Sequence, residues 1–114
     1  MADRLELGTV TRVMIARYAC AIGDFNPVHL DDDFAKRAGL PSVIAHGPLT
    51  AALLIEALMR SGRAPRVRGV DLRLREPVFP GDNLQATFRE DGGLEITDSA
   101  GRVKASAVLK EDSG

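Results

Sequence analysis

The 114-residue sequence predicts an α+β fold in which an antiparallel β-sheet wraps around one apolar helix. The long segment after Gly47-Pro48 is apolar on nearly every face, as expected for a helix at the centre of a domain. Several later segments alternate apolar with polar residues, which is typical of strands with one buried face. A sheet around the helix is the simplest arrangement that buries both kinds of segment.

Length and charge narrow the function classes. We expect one domain, residues 1–114, of a size at which a second chain often completes the core. The 15 basic and 16 acidic residues are well mixed, which argues against a nucleic-acid or membrane surface as a partner. The polar start Met-Ala-Asp-Arg and the lack of a long apolar run predict a cytoplasmic protein.

The first elements are a short strand and a helix. Leu5 and Leu7 alternate with polar neighbours, and Thr11 then precedes a segment that ends at Gly23. One helical stripe of that segment contains Ile15, Tyr18, Ala19 and Ile22. The lone cysteine, Cys20, excludes an intrachain disulfide, and its apolar neighbours predict a buried free thiol in a reducing compartment.

A turn and a second, short helix come next. The Asn26-Pro27 step favours a turn over helix continuation, because a residue before proline avoids helical backbone angles. The acidic run 31–33 is typical of a helix start, and Gly39 ends the short helix that follows.

The central helix is predicted from Gly47-Pro48 to about Arg60, with proline in the first turn, where its missing N–H costs nothing. Only Thr50 and Glu56 are polar within its body, so we expect the helix to be enclosed on all sides. At 1.5 Å per residue it spans about 20 Å, which is too short for a bilayer.

The remaining chain predicts the sheet. Turn residues at Pro80-Gly81-Asp82, Asp91-Gly92-Gly93 and Ser99-Ala100-Gly101 separate the strand candidates and favour antiparallel pairing. The apolar positions of the four candidates are Val70, Leu72 and Leu74; Leu84, Ala86 and Phe88; Leu94 and Ile96; and Val103, Ala105, Ala107 and Leu109.

The candidate site lies in the turn between the first two helices. Asp24 and His29 flank Asn26 and Pro27, so their side chains can converge instead of lying along one helix face. A carboxylate beside an imidazole suits proton transfer to and from water. The alternative is structural, since an aspartate can cap a turn and a histidine can be a hydrogen-bonded core residue.

The residues around this turn resemble the signature of the MaoC-like hydratases and dehydratases, the (R)-specific enoyl-CoA hydratase group. The resembling stretches are Tyr18-Ala19-x-x-x-Gly23-Asp24-x-Asn26-Pro27-Val28-His29-x-Asp31, Ala35, Ala38-Gly39-Leu40, Ile44-Ala45-His46-Gly47 and Leu74-Arg75-Glu76-Pro77-Val78-Phe79-Pro80-Gly81-Asp82. The resemblance implies the hot-dog fold, an antiparallel sheet around a central helix, with two chains joined into one continuous sheet.

The resemblance also implies an activity and its residues. Asp24 and His29 would be the catalytic pair that adds water to a trans-2-enoyl thioester, giving the (R)-3-hydroxyacyl product, or runs the reverse dehydration. The Gly47 N–H would bind the thioester carbonyl, and Asn26, Pro27 and His46 would support the site. No metal or separate cofactor is implied, because coenzyme A is part of the substrate. Which member of the pair is the base stays open.

Two departures from the family pattern matter. Pro48 stands where these enzymes commonly carry methionine, which changes the pocket wall. The chain is also short for the family, so we expect a homodimer or a heteromer with a related hot-dog chain, with the site where the chains meet. The acyl chain, the carrier (coenzyme A or a carrier protein) and the pathway stay open.

Alternatives remain for the function and for several residues. The chain could be a non-catalytic or partner-dependent subunit that binds acyl thioesters, or a thioesterase. His46 is interpreted as structural in preference to a third catalyst, and Tyr18 as a core residue. Two interpretations stay open for four arginines: they form a solvent-exposed face, or they lie near the phosphates of coenzyme A. These residues are Arg60, Arg63, Arg66 and Arg68.

Overall fold

A computed structural model describes residues 3–111. Eight regular elements lie in this order: β1 Arg4–Thr9, α1 Arg12–Ile22, α2 Asp32–Arg37, α3 Gly47–Arg60, β2 Val67–Leu74, β3 Asn83–Phe88, β4 Gly93–Thr97 and β5 Val103–Glu111. Single 3₁₀ turns occur at Pro27–His29 and Ala64–Arg66. Each helix and strand expected from the sequence is present.

One five-stranded antiparallel sheet holds all the strands in the order β1-β3-β4-β5-β2. The register brings apolar residues opposite each other, as in the pairs Ala86 with Ile96 and Leu72 with Ala107. Apolar side chains on one face of the sheet form the core with α3, whose Leu54 and Ala57 are fully buried. The predicted α+β architecture, a sheet around a central apolar helix, is confirmed.

The helix α1 shows how local sequence sets its ends. The Thr11 side chain accepts a hydrogen bond from the Met14 N–H, which satisfies a donor of the first turn. At the other end Gly23 adopts a left-handed φ of 71°, and its N–H donates to the Ala19 carbonyl. Both ends were predicted from these two residues.

The expectation that α3 is enclosed on all sides is wrong for the single chain. Its outward stripe, made of Ala52, Ile55, Glu56 and Met59, is exposed, with Met59 at 67%. A single five-stranded sheet covers one side of a helix, and α1 and the loops do not reach the opposite side. This apolar stripe is therefore open in the single chain.

The expected burial of Cys20 is also wrong, because the cysteine is exposed. Its neighbour Ala19 is fully buried, and the next residue of an α-helix lies about 100° further around the axis. Cys20 thus faces outward although its sequence neighbours are apolar. Across residues 3–111, every helix is too short or too polar to cross a membrane.

Candidate active site

The turn that carries Asp24 and His29 is fixed by its own side chains. The Asn26 side chain accepts a hydrogen bond from the Val28 N–H at 3.1 Å and so caps the 3₁₀ turn that Pro27 begins. One oxygen of Asp24 accepts from the Asn26 N–H at 3.3 Å. The chain reverses here, which brings the two candidate catalytic side chains to the same side of the turn.

Asp24 and His29 face each other across a narrow gap. Asp24 Oδ2 lies 4.0 Å from His29 Nε2, and their side chains are 45% and 11% exposed. This distance is too long for a direct hydrogen bond, but each atom can be about 2.8 Å from one shared water oxygen. The pair therefore has the spacing needed to hold a single water between a carboxylate and an imidazole.

A backbone carbonyl fixes the tautomer of His29. The Ile44 carbonyl oxygen lies 2.7 Å from His29 Nδ1, and a carbonyl can only accept a hydrogen bond. Nδ1 therefore carries a proton, and the neutral ring presents the lone pair of Nε2 toward Asp24. That is the form in which the imidazole can accept a proton.

His46 joins this pair to the start of α3. Its Nε2–H donates to the Asp24 carbonyl at 3.1 Å, and its ring stacks on His29 with centroids 3.7 Å apart. The residue is 1% exposed, and Tyr18 packs against its other side at 5.2 Å between centroids. These contacts match the structural interpretation of His46 and the core interpretation of Tyr18.

The loop before α3 is hydrogen-bonded to the turn that carries Asp24 and His29 and to α2. The Ile44 N–H donates to the Val28 carbonyl at 3.1 Å, and the Val43 N–H donates to Asp32 at 3.1 Å. The side-chain hydrogen bond from Arg12, followed by that Val43 bond, lowers the pKa of Asp32 below its ordinary value. Asp32 is thus a charged anchor for the loop whose carbonyl orients His29.

One backbone donor is left over at the start of α3. The N–H groups of Leu49 and Thr50 both donate to the His46 carbonyl, at 3.0 and 3.2 Å, and Pro48 has no N–H. The Gly47 N–H has no partner within the helix, as is general for the first residues of an α-helix. It remains available at the positive end of the helix dipole.

A cavity of about 260 Å³ lies beside Gly47. It is lined by Ile44, Ala45, Gly47, Thr50 and the segment 74–78. A Cβ at position 47 would lie 2.8 Å from Leu74 Cδ1, so the glycine allows the leucine to pack over the helix start. Among the described residues, Asp24 and His29 do not line this cavity. Ile44 connects the pair to the cavity, because it lines the cavity and its carbonyl binds His29.

The predicted site residues thus fall into two adjoining groups that share the 44–47 loop. Two of the arginines considered for phosphate binding do not join them: Arg60 donates to the Glu6 carbonyl, and Arg63 stacks over the Phe88 ring. Both lie at the far end of α3, about 20 Å from Gly47 along a helix of this length. For these two, the structure favours the structural interpretation.

Three potential metal-ligand atoms lie within 4.8 Å of one another, one each from Asp24, His29 and His46. Two facts make this a poor metal site. Each histidine already uses one nitrogen as a donor to a carbonyl, and the rings stack with planes only 21° apart. Metals bind imidazole nitrogens in the ring plane, and nearly parallel planes do not converge on one ion.

Sequence reasoning missed that Lys104 is buried and that Thr50 and Arg75 line the cavity beside Gly47. Lys104 falls on the polar register of β5, which is the usual pattern of a solvent-facing residue. Its signal was indirect: the turns at Asp82 and Asp98 place carboxylates near the same end of the sheet.

Fold and site together define a hot-dog chain with an acid–base pair beside the start of its central helix. The sequence matches the MaoC-like domain family over residues 4–111. The chain therefore belongs to the MaoC-like dehydratase family, as its signature indicated.

Two relatives with known names are similar to this chain. The (R)-specific enoyl-CoA hydratase of Aeromonas caviae is 34% identical over 104 residues, which cover 79% of this chain and 78% of that protein. The 3-hydroxyacyl-thioester dehydratase X of Mycobacterium tuberculosis is 36% identical over 89 residues, covering 77% of this chain but only 31% of the relative. The chain thus spans less than a third of the length of some curated relatives it matches.

Solved structures show the same fold. HtdX of M. tuberculosis superposes with a TM-score of 0.75 at 32% identity, covering 97% of this chain and 47% of that one. The A. caviae (R)-hydratase gives a TM-score of 0.72 at 29% identity, with coverages of 93% and 89%. The ChsH1-ChsH2 complex of M. tuberculosis, at 23% identity and a TM-score of 0.68, shares the fold.

Proposed function

We propose that this chain carries out (R)-specific hydration of trans-2-enoyl thioesters, or the reverse dehydration, with Asp24 and His29 as the catalytic pair. The single observation that carries the proposal is the 4.0 Å gap between Asp24 Oδ2 and the lone-pair nitrogen of His29. A water in this gap can contact both groups at once, as general acid–base catalysis requires.

The proposed reaction uses these groups in sequence. One member of the pair removes a proton from the bound water, whose oxygen forms a bond to C3 of the enoyl group. The π electrons move toward the thioester oxygen, and a proton returned to C2 completes the addition. The Gly47 N–H would hold the oxygen as it gains charge, an interaction that typically contributes about 3 kcal/mol per donor.

A second hot-dog chain is part of the proposal. One edge of β2 has no partner strand among residues 3–111, and the apolar stripe of α3 is exposed. A chain added at this edge would extend the sheet next to Leu74 and the 260 Å³ cavity. It would supply the missing wall between the cavity and the catalytic pair.

The second candidate function is a partner-dependent subunit, favoured by one specific observation. Within the described chain the catalytic pair and the cavity do not share a lining, so a related chain could be required to join them. The ChsH1-ChsH2 relative is itself a complex of two named chains.

The test is the hydration of crotonyl-CoA and longer enoyl-CoA substrates by the purified chain. The loss of enoyl absorbance measures the rate, and the chirality of the product is determined separately. Asp24→Asn and His29→Ala should each lower kcat by about 100-fold or more, a typical contribution of general acid–base catalysis. The exposed Asp33→Asn is the matched control and should keep wild-type activity.

Three results would contradict the main proposal or select the second candidate. Wild-type activity in either catalytic variant would refute the pair, and an (S)-product would refute the stereochemistry. If the pure wild-type chain binds a thioester but hydrates it only after a related chain is added, the partner-dependent function replaces the first. Mass measurement of the active species separates a homodimer from a heteromer.

A further inference from the structure

Lys104 is the one lysine or arginine within residues 3–111 that is buried, and the catalytic steps above do not use it. Its side chain is 3% exposed and points from β5 beneath the loop between β2 and β3. The ammonium group donates to the Pro77 carbonyl at 2.9 Å and lies 3.2 Å from Asp82 and 3.8 Å from Asp98. A buried lysine is costly unless it is paired, and here three oxygens surround it.

The backbone of Lys104 holds the same loop. Its carbonyl accepts hydrogen bonds from the N–H groups of Arg75 and Glu76, at 2.9 and 3.2 Å. Together with the ammonium bond to Pro77, this one residue fixes three consecutive residues, 75–77. All three line the cavity beside Gly47.

The wall that Lys104 fixes is also bonded to the loop before α3. Val78 is buried, and its carbonyl accepts a hydrogen bond from the Ala45 N–H at 2.8 Å. Ala45 lies between Ile44, whose carbonyl orients His29, and His46, which supports Asp24. A shift of the wall would therefore reach the cavity first and the 44–47 loop second.

We propose that Lys104 is a positioning residue that sets the place of the 75–78 wall against Gly47 and thereby the fit of the thioester. That the substrate is a thioester rests on the proposed function, whereas the contacts of Lys104 with the wall do not. A charged side chain suits this task, because an ammonium group binds a carbonyl and two carboxylates at once and so ties the loop to two separate turns.

The test replaces Lys104 with methionine, which keeps length and apolar volume but removes the charge. Because Lys104→Met alone leaves two carboxylates with less compensation, the double variant Lys104→Met/Asp98→Asn is made beside it. Lys110→Met is the matched control, since it makes the same change at an exposed position of the same strand. Crotonyl-CoA is the substrate.

Positioning and mere structural support give different results. We expect KM to rise about fivefold or more in both Lys104 variants with a smaller fall in kcat, because the wall would contact the substrate directly but the reacting groups only through the 44–47 loop. The double variant, which removes one of the two carboxylates that face Lys104, should keep the raised KM. A wild-type KM in either folded Lys104 variant overturns the proposal.

A second measurement does not depend on activity. Amide hydrogen exchange at Ala45 reports the bond to the Val78 carbonyl, and it should accelerate in the Lys104 variants but not in Lys110→Met. Unchanged exchange at Ala45 overturns the proposal even when no enoyl thioester is hydrated. An inactive wild type with accelerated exchange in the variants refutes only the proposed function.

Discussion

The two ends of α3 differ in how completely their polar groups are paired. At the carboxyl end, the Ser61 hydroxyl donates to the Leu58 carbonyl at 2.6 Å, Arg60 binds the Glu6 carbonyl, and Arg63 lies over Phe88. At the amino end, the Gly47 N–H remains available and a cavity lies beside it. The carboxyl end, with its paired groups, is the closed end, and the amino end, with a free donor beside a cavity, is the open end to which the proposed function assigns the substrate.

Among the variants that compare the two ends of α3, the largest effect is expected at His46, which connects the open end to the turn that carries Asp24 and His29. His46→Phe keeps an aromatic ring but removes the Nε2–H that bonds the Asp24 carbonyl. The half-buried Asp24 carbonyl loses its donor, so kcat should fall by about tenfold or more. The free energy of unfolding should change less, because His46→Phe also removes Nδ1, a buried nitrogen that has no hydrogen-bond partner among the described residues. Denaturant unfolding and crotonyl-CoA kinetics measure the two, and unchanged kcat would show that Asp24 needs no such support.

Gly47→Ala separates activity from stability at the open end. Gly47 is the first residue of α3 and does not have a left-handed φ, so alanine fits its backbone and the fold should keep its stability. The new Cβ would nevertheless meet Leu74 Cδ1 at 2.8 Å, so this side chain, which lines the cavity, would have to move. We expect kcat/KM to fall about tenfold, equivalent to about 1.4 kcal/mol.

The double variant Gly47→Ala/Leu74→Ala checks that reason. Removal of the leucine tip should restore part of the lost kcat/KM, because the clash disappears. If the double variant is no better than Gly47→Ala, crowding against Leu74 does not cause the loss.

Arg63→Met should give the opposite result at the closed end. The guanidinium lies 4.1 Å from the Phe88 ring centroid and 3.4 Å from Asp3, contacts that stabilise the fold by about 1 kcal/mol. We expect a lower melting temperature with unchanged kcat and KM for crotonyl-CoA. A raised KM would instead return this arginine to the substrate site.

The smallest effect depends on pH and concerns Asp98. The hydrogen bond from the Arg102 N–H, with further help from the Ala100 N–H and the charge of Lys104, holds the pKa of Asp98 below its ordinary value of 3.8, against the opposing effect of burial. A lowered folded-state pKa stabilises the protein above the unfolded-state pKa, and this stabilisation is lost as pH falls through the folded-state value.

Asp98→Asn should therefore destabilise the protein by about 1 kcal/mol at neutral pH, as expected for a hydrogen-bonded charged group. The difference from wild type should shrink in acid. Urea unfolding of both proteins from neutral to acidic pH measures it, and a difference that stays constant across this range would contradict the assignment.

These comparisons also show which features can be predicted from sequence. Local side-chain chemistry determines the two ends of α1, at Thr11 and Gly23, and the turn at Asn26-Pro27. The strands follow from apolar residues that recur at every second position. All of these features were predicted. The convergence of Asp24 and His29 follows in part from the six-residue turn 24–29 that carries both. The orientation of the His29 ring also depends on the distant Ile44 carbonyl, which the sequence pattern did not indicate.

What the sequence did not predict depends on distant parts of the chain. Burial of Lys104 requires the loop at Pro77 to fold over β5, and the cavity wall reaches Gly47 from the end of β2. Exposure of Cys20 and Met59 depends on how far the sheet and loops extend around the helices. No short-range pattern contains that information.

Two open surfaces of residues 3–111, the edge of β2 that pairs with no strand there and the exposed stripe of α3, have a practical consequence for anyone handling this protein. Such surfaces adhere to other chains, and a copy that covers them is bound only as tightly as mass action allows. If a second copy is the natural cover, dilution will separate the chains and lower the melting temperature. Measurements at nanomolar and micromolar concentration would then describe two different species.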